Sequence, residues 1–417
     1  MRFIHCADIH LDSPLRGLDR YEGAPVERLR GATRRAFERL VNLAIEDRVS
    51  FVVIAGDLFD GERDDYQTAM FLQRQLRRLD ECDIPVIIAY GNHDAANQIT
   101  RRLDLPHSAR VLPYDTPATI ELPGAEAALH GMSYATRAVN EDLVGRYPQP
   151  VPGVLNVGVL HTSIDGRPGH DPYAPCTIDE LVNRGYEYWA LGHVHQREHH
   201  TVDGVHIVFP GCLQGRDVGE CGPKGATVVV YASGAVEKVI PCVLAPVQWT
   251  RIEVDLSDVP FVLGAIEHTV ERLSDLQASS DADLNAVRIV LHLSSAARRD
   301  WLREPDRYDA ELRADAAGGD ERLWIERIIV SPESASRPEV SGEALAAVTD
   351  VLASLRASPV QAAELGAAGL LAGIRSRFGS DLPAALQLGA DVLEERHVNE
   401  LLDEVEALLQ AELEAGT

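Results

Sequence analysis

The sequence predicts an α/β layered fold over roughly its first 210 residues, and two observations predict it. Short apolar runs of strand length alternate there with stretches of helical periodicity. A Gly-rich polar stretch, GCLQGRDVGECGPKG, then follows Pro210 and leads into two more apolar runs that read as a closing hairpin.

In chain order the strands are expected at Arg2–Cys6, Phe51–Ala55, Pro85–Tyr90, Ala127–His130, Asn156–Leu160, Tyr188–Leu191 and His206–Phe209. Between the first two, Leu29, Phe37, Leu40, Leu43 and Ala44 recur at helical spacing, which predicts a helix within Pro25–Asp47; a second is expected over Asp65–Leu79. ATVVVYA and AVEKVIPCVL form the hairpin that closes a first domain near Ala245. From Trp249 onward, RIEVDL, a helix over Val262–Leu276, VRIVLHL and RLWIERIIV predict a small α+β module. SPESASRP has the composition of a linker. Beyond it the chain reads as helical, ending in an amphipathic helix with Val392, Leu393, Val398, Leu401, Leu402, Val405, Leu408 and Leu409 on one face. The expected division is therefore 1–245, 246–332 and 333–417.

A chain of 417 residues has room for two or three such domains. No apolar run reaches the roughly 18 residues of a membrane span. The N-terminal RFIHC reads as a buried strand rather than a secretion signal, so a cytoplasmic protein without membrane contact is expected. The six cysteines include no C-x-x-C pair and read as reduced structural thiols. The net charge of −26 argues against a surface that grips nucleic acid everywhere. Charge is uneven, however. Asp391–Glu414 holds nine carboxylates and one arginine, whereas Arg16–Arg39 holds seven arginines, followed by Arg74, Arg77, Arg78, Arg101 and Arg102. A local cationic groove and solvated helix faces are both compatible with that pattern.

The chemistry lies at the ends of the strands. RFIHC leads to Asp8 and His10, FVVIA to Asp57, PVIIAY to Asn92, His93 and Asp94, NVGVL to His161, and YWAL to His193 and His195. In open α/β sheets ligands bind outside the carboxyl ends of strands, so these scattered side chains can converge. Imidazole, carboxylate and amide oxygen suit manganese, iron or zinc, whereas structural zinc is thiolate-rich. Asp57, on a central strand, is the natural bridge between two cations. Glycines before Asp57, Asn92 and His193 are expected to let the backbone turn. Each element alone has a bland explanation, such as a turn or a packed histidine. The ordered series does not.

D-x-H, G-D-x-x-D, G-N-H-D, H and G-H-x-H resemble the motif series of the calcineurin-like metallophosphoesterases. IHCADIHLDSPLRGL and PGCLQGRDVGECGPKG resemble, within that family, the SbcD-like DNA repair nucleases and especially the YhaO-type proteins. The likeness covers about the first 240 residues. It implies a β-sandwich flanked by helices, followed by the small capping domain and a helical segment for docking a partner. It implies one metal on Asp8, His10, Asp57 and His195, and another on Asp57, Asn92, His161 and His193. Two cations so placed, manganese first among the candidates, clamp the oxygens of an in-line phosphoryl displacement. His93 would face the scissile phosphate, with Asp94 orienting it, and Asp60 would lie behind the ligands or cap the strand end. The resemblance further implies DNA as substrate, a coiled-coil ATPase of the SMC type as partner, and a homodimer. No G-x-x-x-x-G-K-[ST] element is present, so an ATP-driven step needs another polypeptide. GDLFDGE lacks the arginine that protein phosphatases carry after this aspartate, which disfavours that activity. A small-molecule phosphodiesterase of the cyclic-nucleotide type is the alternative, and an adaptor with a structural metal site is a third reading. Asp217 and Glu220 make a phosphate contact at the loop after LQGR doubtful, although Arg216 and Lys224 remain.

Overall fold

The computed structural model describes residues 1–13, 23–60, 66–95, 104–137, 139–164, 174–318 and 321–331. The expected C-terminal segment 333–417, the linker after Ser331, and Arg16, Arg20, Arg101 and Arg102 lie outside them. In chain order the elements are β1 (Arg2–Cys6), α1 (Val26–Arg30), α2 (Ala32–Glu46), β2 (Phe51–Ala55), α3 (Tyr66–Asp80), β3 (Val86–Ala89), α4 (Asn92–Ala95), β4 (Ala109–Val111), β5 (Ala118–Leu122), β6 (Ala127–Gly131), β7 (Leu155–His161) and α5 (Ile178–Asn183). They continue with β8 (Tyr188–Gly192), β9 (Glu198–Val202), β10 (Val205–Phe209), β11 (Gly225–Ala232), β12 (Ala235–Val243), β13 (Val247–Leu256), α6 (Val262–Ala278), β14 (Leu284–Leu293), α7 (Ser295–Arg303), α8 (Pro305–Ala317) and β15 (Leu323–Val330).

One compact unit comprises Met1–Val254, Ile266–Val290 and Asp309–Ile329. It contains two six-stranded sheets, ordered β12-β11-β1-β2-β3-β4 and β5-β6-β7-β8-β10-β9. β1, β2 and β3 run parallel in the first, β7 and β8 in the second. Because successive side chains alternate across a strand, each sheet has two faces to bury. Phe3, Val53 and Ala89 of the first sheet pack on Leu129, Val157 and Val208 of the second, forming the core between them. The other face of the first sheet, through Ile4, Val52 and Ile88, lies under Phe37, Leu40, Leu72 and Leu76 of α2 and α3. The far face of the second sheet is covered around Trp189, Leu191 and Leu181. The α/β fold with helices on its sheets is thus the observed one. All six cysteines are free thiols.

Departures from expectation have local causes. The helix expected within Pro25–Asp47 is two helices, because the backbone leaves helical geometry at Gly31, a poor helix former, with φ −81° and ψ 0°. β4, β5 and β9 escape a search for apolar runs: β4 has three residues, and the edge strand β9 reads EHHTV. α5 carried an unused signal. Thr177 and Glu180 form a reciprocal capping box at its start. α7 and α8 occupy the stretch between two expected strands.

The third sheet, β13-β14-β15, contributes Trp249, Leu284, Ala286 and Trp324 to an apolar cluster that includes Leu29 and Ala32. Arg28 donates to the carbonyls of Asp283 and Glu321, each at 2.5 Å, and Arg39 reaches the Asp283 carboxylate at 2.6 Å. Of the described residues, the second unit gathers Asp255–Ala265, Leu291–Tyr308, Val330 and Ser331. In it the Ser294 hydroxyl accepts from Ala297 at the start of α7 and donates to the Val259 carbonyl at 2.7 Å. Among the described residues no helix is long and apolar enough to cross a membrane.

At Gly192 the two large sheets approach closely: a Cβ there would lie 1.9 Å from the carbonyl oxygen of Ala55. Gly192→Ala is expected to lower stability by about 1–3 kcal/mol, the usual cost of overpacking. A urea midpoint equal to that of the parent protein would disprove the contact.

Candidate metal centre

The carboxyl ends of β1, β2 and β3 in one sheet and of β7 and β8 in the other open onto the same place. Five strand ends from two sheets therefore contribute, rather than one sheet edge. The turn after β1 is tied to the turn after β2: Asp8 N donates to Gly56 O at 3.0 Å, and His10 N donates to Asp57 O at 3.0 Å. The second sheet joins when His193 N donates to both Asp8 carboxylate oxygens at 3.0 Å. Asp8, His10, Asp57 and His193 all have positive φ, at 50°, 45°, 52° and 98°. L-residues adopt such angles only when their surroundings impose them.

The glycines act differently from expectation. Gly56 does turn, with φ 95°, but Gly91 and Gly192 are small because other groups occupy the space. A Cβ on Gly91 would lie 2.3 Å from Asp57 Oδ1.

All seven expected ligands meet. His10 Nε2 lies 3.2 Å from His195 Nε2 and 3.8 Å from Asp57 Oδ2, and His195 Nε2 lies 3.9 Å from Asp8 Oδ1. On the other side, His161 Nε2 lies 3.5 Å from Asp57 Oδ2 and 3.0 Å from Asn92 Oδ1. The His193 ring stands 5.2 Å from that of His161. Among the described residues four groupings have ligand atoms all within 4.8 Å of one another: Asp8–His10–His195 and Asp8–Asp57–His161, made of expected ligands, and His10–Asp60–His93 and His195–Cys212–Glu220 beside them.

The donor chemistry fits cations. His161 Nδ1 faces the Ala55 carbonyl at 3.0 Å, and a carbonyl only accepts, so Nδ1 carries the proton. Nε2 then presents a lone pair to two further acceptors, Asn92 Oδ1 and Asp57 Oδ2. With the Asn92 amide in this orientation, a proton or a cation between them reconciles that arrangement. Ligands about 2.1 Å from one metal lie about 3.0–3.4 Å apart, the spacing seen between His10 and His195. His10 Nδ1 is buried without a hydrogen-bond partner among the described residues.

The electrostatics agree. Burial pushes Asp8 up to about 6, opposed by His195 and His161 and reinforced by Asp57. Asp57 is also fully buried, yet the facing His161, then His10 and His93, hold it well below the usual carboxylate range. Burial opposes charge on His161, but Asp57 and then Asp8 more than offset it and push the imidazole up to about 9. A buried charge of this kind is normally paired or bound to metal.

His93 stands at the rim, its side chain 31% exposed, with Nδ1 3.1 Å from Asp60 Oδ1. That corrects the role expected for Asp94. The Asp94 carboxylate accepts from the backbone N–H groups of Gly91, Leu58 and Phe59 at 3.0, 3.1 and 2.9 Å, pinning the turns after β2 and β3. Burial, with Asp57 adding to it, pushes Asp94 up to about 7. The hydrogen bond that His93 donates to Asp60 raises its imidazole above the ordinary value.

Three residues that the sequence reading weighed only for a phosphate contact instead support the ligands from behind. Glu220 Oε1 lies 2.6 Å from His195 Nδ1. Arg216 donates to Glu220 at 2.7 Å and lies 3.7 Å from Asp60 Oδ2, and Lys224 Nζ donates to His195 O at 2.9 Å. The only available signal was their clustering in the polar loop after β10. Asp57, Asn92, His93, His193, His195, Glu220 and Lys224 help to line a cleft of about 380 Å³.

Residues 1–197 match the family described as calcineurin-like phosphoesterase, and residues 249–331 match the one described as the middle domain of metallophosphoesterase YhaO. The uncharacterized metallophosphoesterase YhaO of Bacillus subtilis is 29% identical over 336 residues, covering 79% of this chain and 81% of that protein. The DNA double-strand break repair protein Mre11 of Aeropyrum pernix is 25% identical over 381 residues, covering 87% of this chain and 89% of that one. Mre11 of Sulfurisphaera tokodaii is 26% identical over 247 residues, 55% of this chain and 60% of the relative. Residues 1–197, which hold every side chain of the expected metal centre, are a calcineurin-like metallophosphoesterase domain, a likeness that supports hydrolysis of phosphoester bonds.

Proposed function

We propose that this chain is a two-metal nuclease that hydrolyses phosphodiester bonds at DNA ends during repair, with manganese(II) as its metal. The observation that carries the reading is the position of Asp57 Oδ2, 3.8 Å from His10 Nε2 on one side and 3.5 Å from His161 Nε2 on the other. Asp8, His10, Asp57 and His195 would hold one cation, and Asp57, Asn92, His161 and His193 the other. When bound, the pair would draw charge from a phosphoryl group and make water a better nucleophile at neutral pH. The remaining chemistry belongs to side chains. Asp60 fixes the tautomer of His93 and favours its charged form, which leaves Nε2 to donate a proton to the departing oxygen. Asp94 acts on backbone rather than on substrate.

DNA as substrate is supported by relatives named as double-strand break repair proteins, one of them aligned over 89% of its length. A coiled-coil ATPase of the SMC type as partner and a homodimer belong to the same proposal and rest on the family resemblance alone, and a cytoplasmic setting belongs to it as well. The division 1–245, 246–332 and 333–417 belongs to this proposal, with the last part as docking region. A small phosphodiester is the second reading, and it has its own observation. Arg34 and Arg39 are paired with the carboxylates of Asp12 and Asp283, and Arg28 donates to main-chain carbonyls, so part of this arginine-rich stretch is engaged within the protein.

Purified protein with manganese(II) is expected to shorten end-labelled duplex DNA. Bound metal without cleavage at any protein concentration would discard the nuclease, and turnover of a small diester in that case would establish the alternative.

Exchange of His93 for Ala should leave metal content unchanged and lower turnover about 10²–10⁴-fold, the usual worth of a positioned acid. Asp60→Asn should lower turnover in the same direction, whereas Asp94→Asn should chiefly lower the melting temperature. Equal activity of the parent and the His93 variant would remove the proton-donor role.

A further inference from the structure

The two imidazoles that best define the two ligand sets are held by different kinds of partner. His161 Nδ1 faces a neutral main-chain carbonyl, Ala55 O, at 3.0 Å. His195 Nδ1 faces a carboxylate, Glu220 Oε1, at 2.6 Å. A carboxylate behind an imidazole fixes its tautomer and increases the electron density at the opposite nitrogen, which faces the metal.

Glu220 is itself fixed. Arg216 donates to it from the backbone at 2.8 Å and from the guanidinium at 2.7 Å. Its side chain is 12% exposed and that of Arg216 21%. Lys224, from the same loop and almost fully buried, donates to the carbonyl of His195 at 2.9 Å. Three charged groups of one short loop therefore converge on a single histidine, gripping its ring and its backbone. Among the described residues His161 Nδ1 faces no comparable charged partner. Among the remaining ligands, His10 Nδ1 approaches a carboxylate only at 3.8 Å, from Asp60.

We propose that Glu220 is a positioning residue that selectively sets the affinity of one of the two metal positions, the one formed by Asp8, His10, Asp57 and His195. The inference rests on the two-metal reading above and extends it. Loss of the carboxylate leaves the His161 set untouched, so the two positions respond unequally. Arg216 and Lys224 serve the same position indirectly, by holding Glu220 and the backbone of His195.

The test is equilibrium dialysis of the full chain against manganese(II), with free metal read by electron paramagnetic resonance. The parent protein is compared with Glu220→Gln, Glu220→Ala and Glu220→Asp. The parent should bind two equivalents. In the Gln and Ala variants one equivalent should keep the parent affinity while the other weakens about 10–100-fold, the range typical of losing such a partner. Glu220→Asp should recover part of the loss. In a His195→Asn background, where that position is already crippled, Glu220→Gln should add nothing further. Gln is nearly isosteric and still accepts a hydrogen bond, so it separates the effect of charge from that of folding, and metal-free melting temperatures verify the fold. Unchanged affinities in both Gln and Ala variants, or equal weakening of both equivalents, overturn the role of Glu220 while leaving the two-metal centre standing. A parent protein that binds fewer than two equivalents overturns the centre and the inference together.

Discussion

Two carboxylates, Asp8 and Asp57, are buried almost side by side where five strands end, and the rest of the site answers that placement. Burying a carboxylate costs several kcal/mol unless positive charge or hydrogen-bond donors meet it. The donors present are few and specific: His193 N to Asp8, and His93 N to Asp57 Oδ1 at 3.0 Å. The remaining need for positive charge falls on imidazoles from both sheets, and these are turned so that their lone pairs face the same space. Such a cluster is poorly balanced as protein alone and well balanced around cations.

Backbone strain follows from the same constraint. Four of the seven expected ligands sit at positive φ, a conformation costing on the order of 1–3 kcal/mol at each such residue. They are held there by bonds between turns, Asp8 N to Gly56 O and His10 N to Asp57 O among them. The wide apolar layers on both faces of the first sheet make this affordable, because local opening of a turn would disturb strands packed on two sides. Gly91 and Gly192 belong to the same economy of space: each leaves out a side chain where a carboxylate oxygen or a neighbouring strand already stands.

Most of the buried strands were legible in the sequence because burial on both faces writes a continuous apolar run, as in FVVIA and VIIA. The edge strand EHHTV was not, since an edge needs no such run. The metal ligands were legible for a related reason: each follows a readable strand, so position and chemical type reinforced one another. Partners behind the ligands were not. Asp60 and Asp94 are both aspartates close to the motifs, and nothing in their spacing says which one reaches the His93 ring and which one pins backbone. Glu220 lies 25 residues beyond His195 in a loop without periodicity, and its contact exists only after β9 and β10 have brought the chain back. Its negative charge suggested a poorer phosphate site, whereas its observed partner is a histidine.

Charge ties these features to the substrate. The chain has 65 acidic and 39 basic residues, and the arginines nearest the site are engaged with carboxylates: Arg34 with Asp12, and Arg216 with Glu220. Little net positive protein charge is therefore left to attract a polyanion by its general field. The cleft holds His93, stabilised in its charged form by Asp60, and a cluster of lone pairs suited to divalent cations. In such a site attraction for phosphate comes chiefly from the cations themselves, so binding of substrate and readiness for chemistry depend on the same few ligands. A site built this way discriminates phosphoesters at short range, at the metal centre, rather than through the general field of the protein.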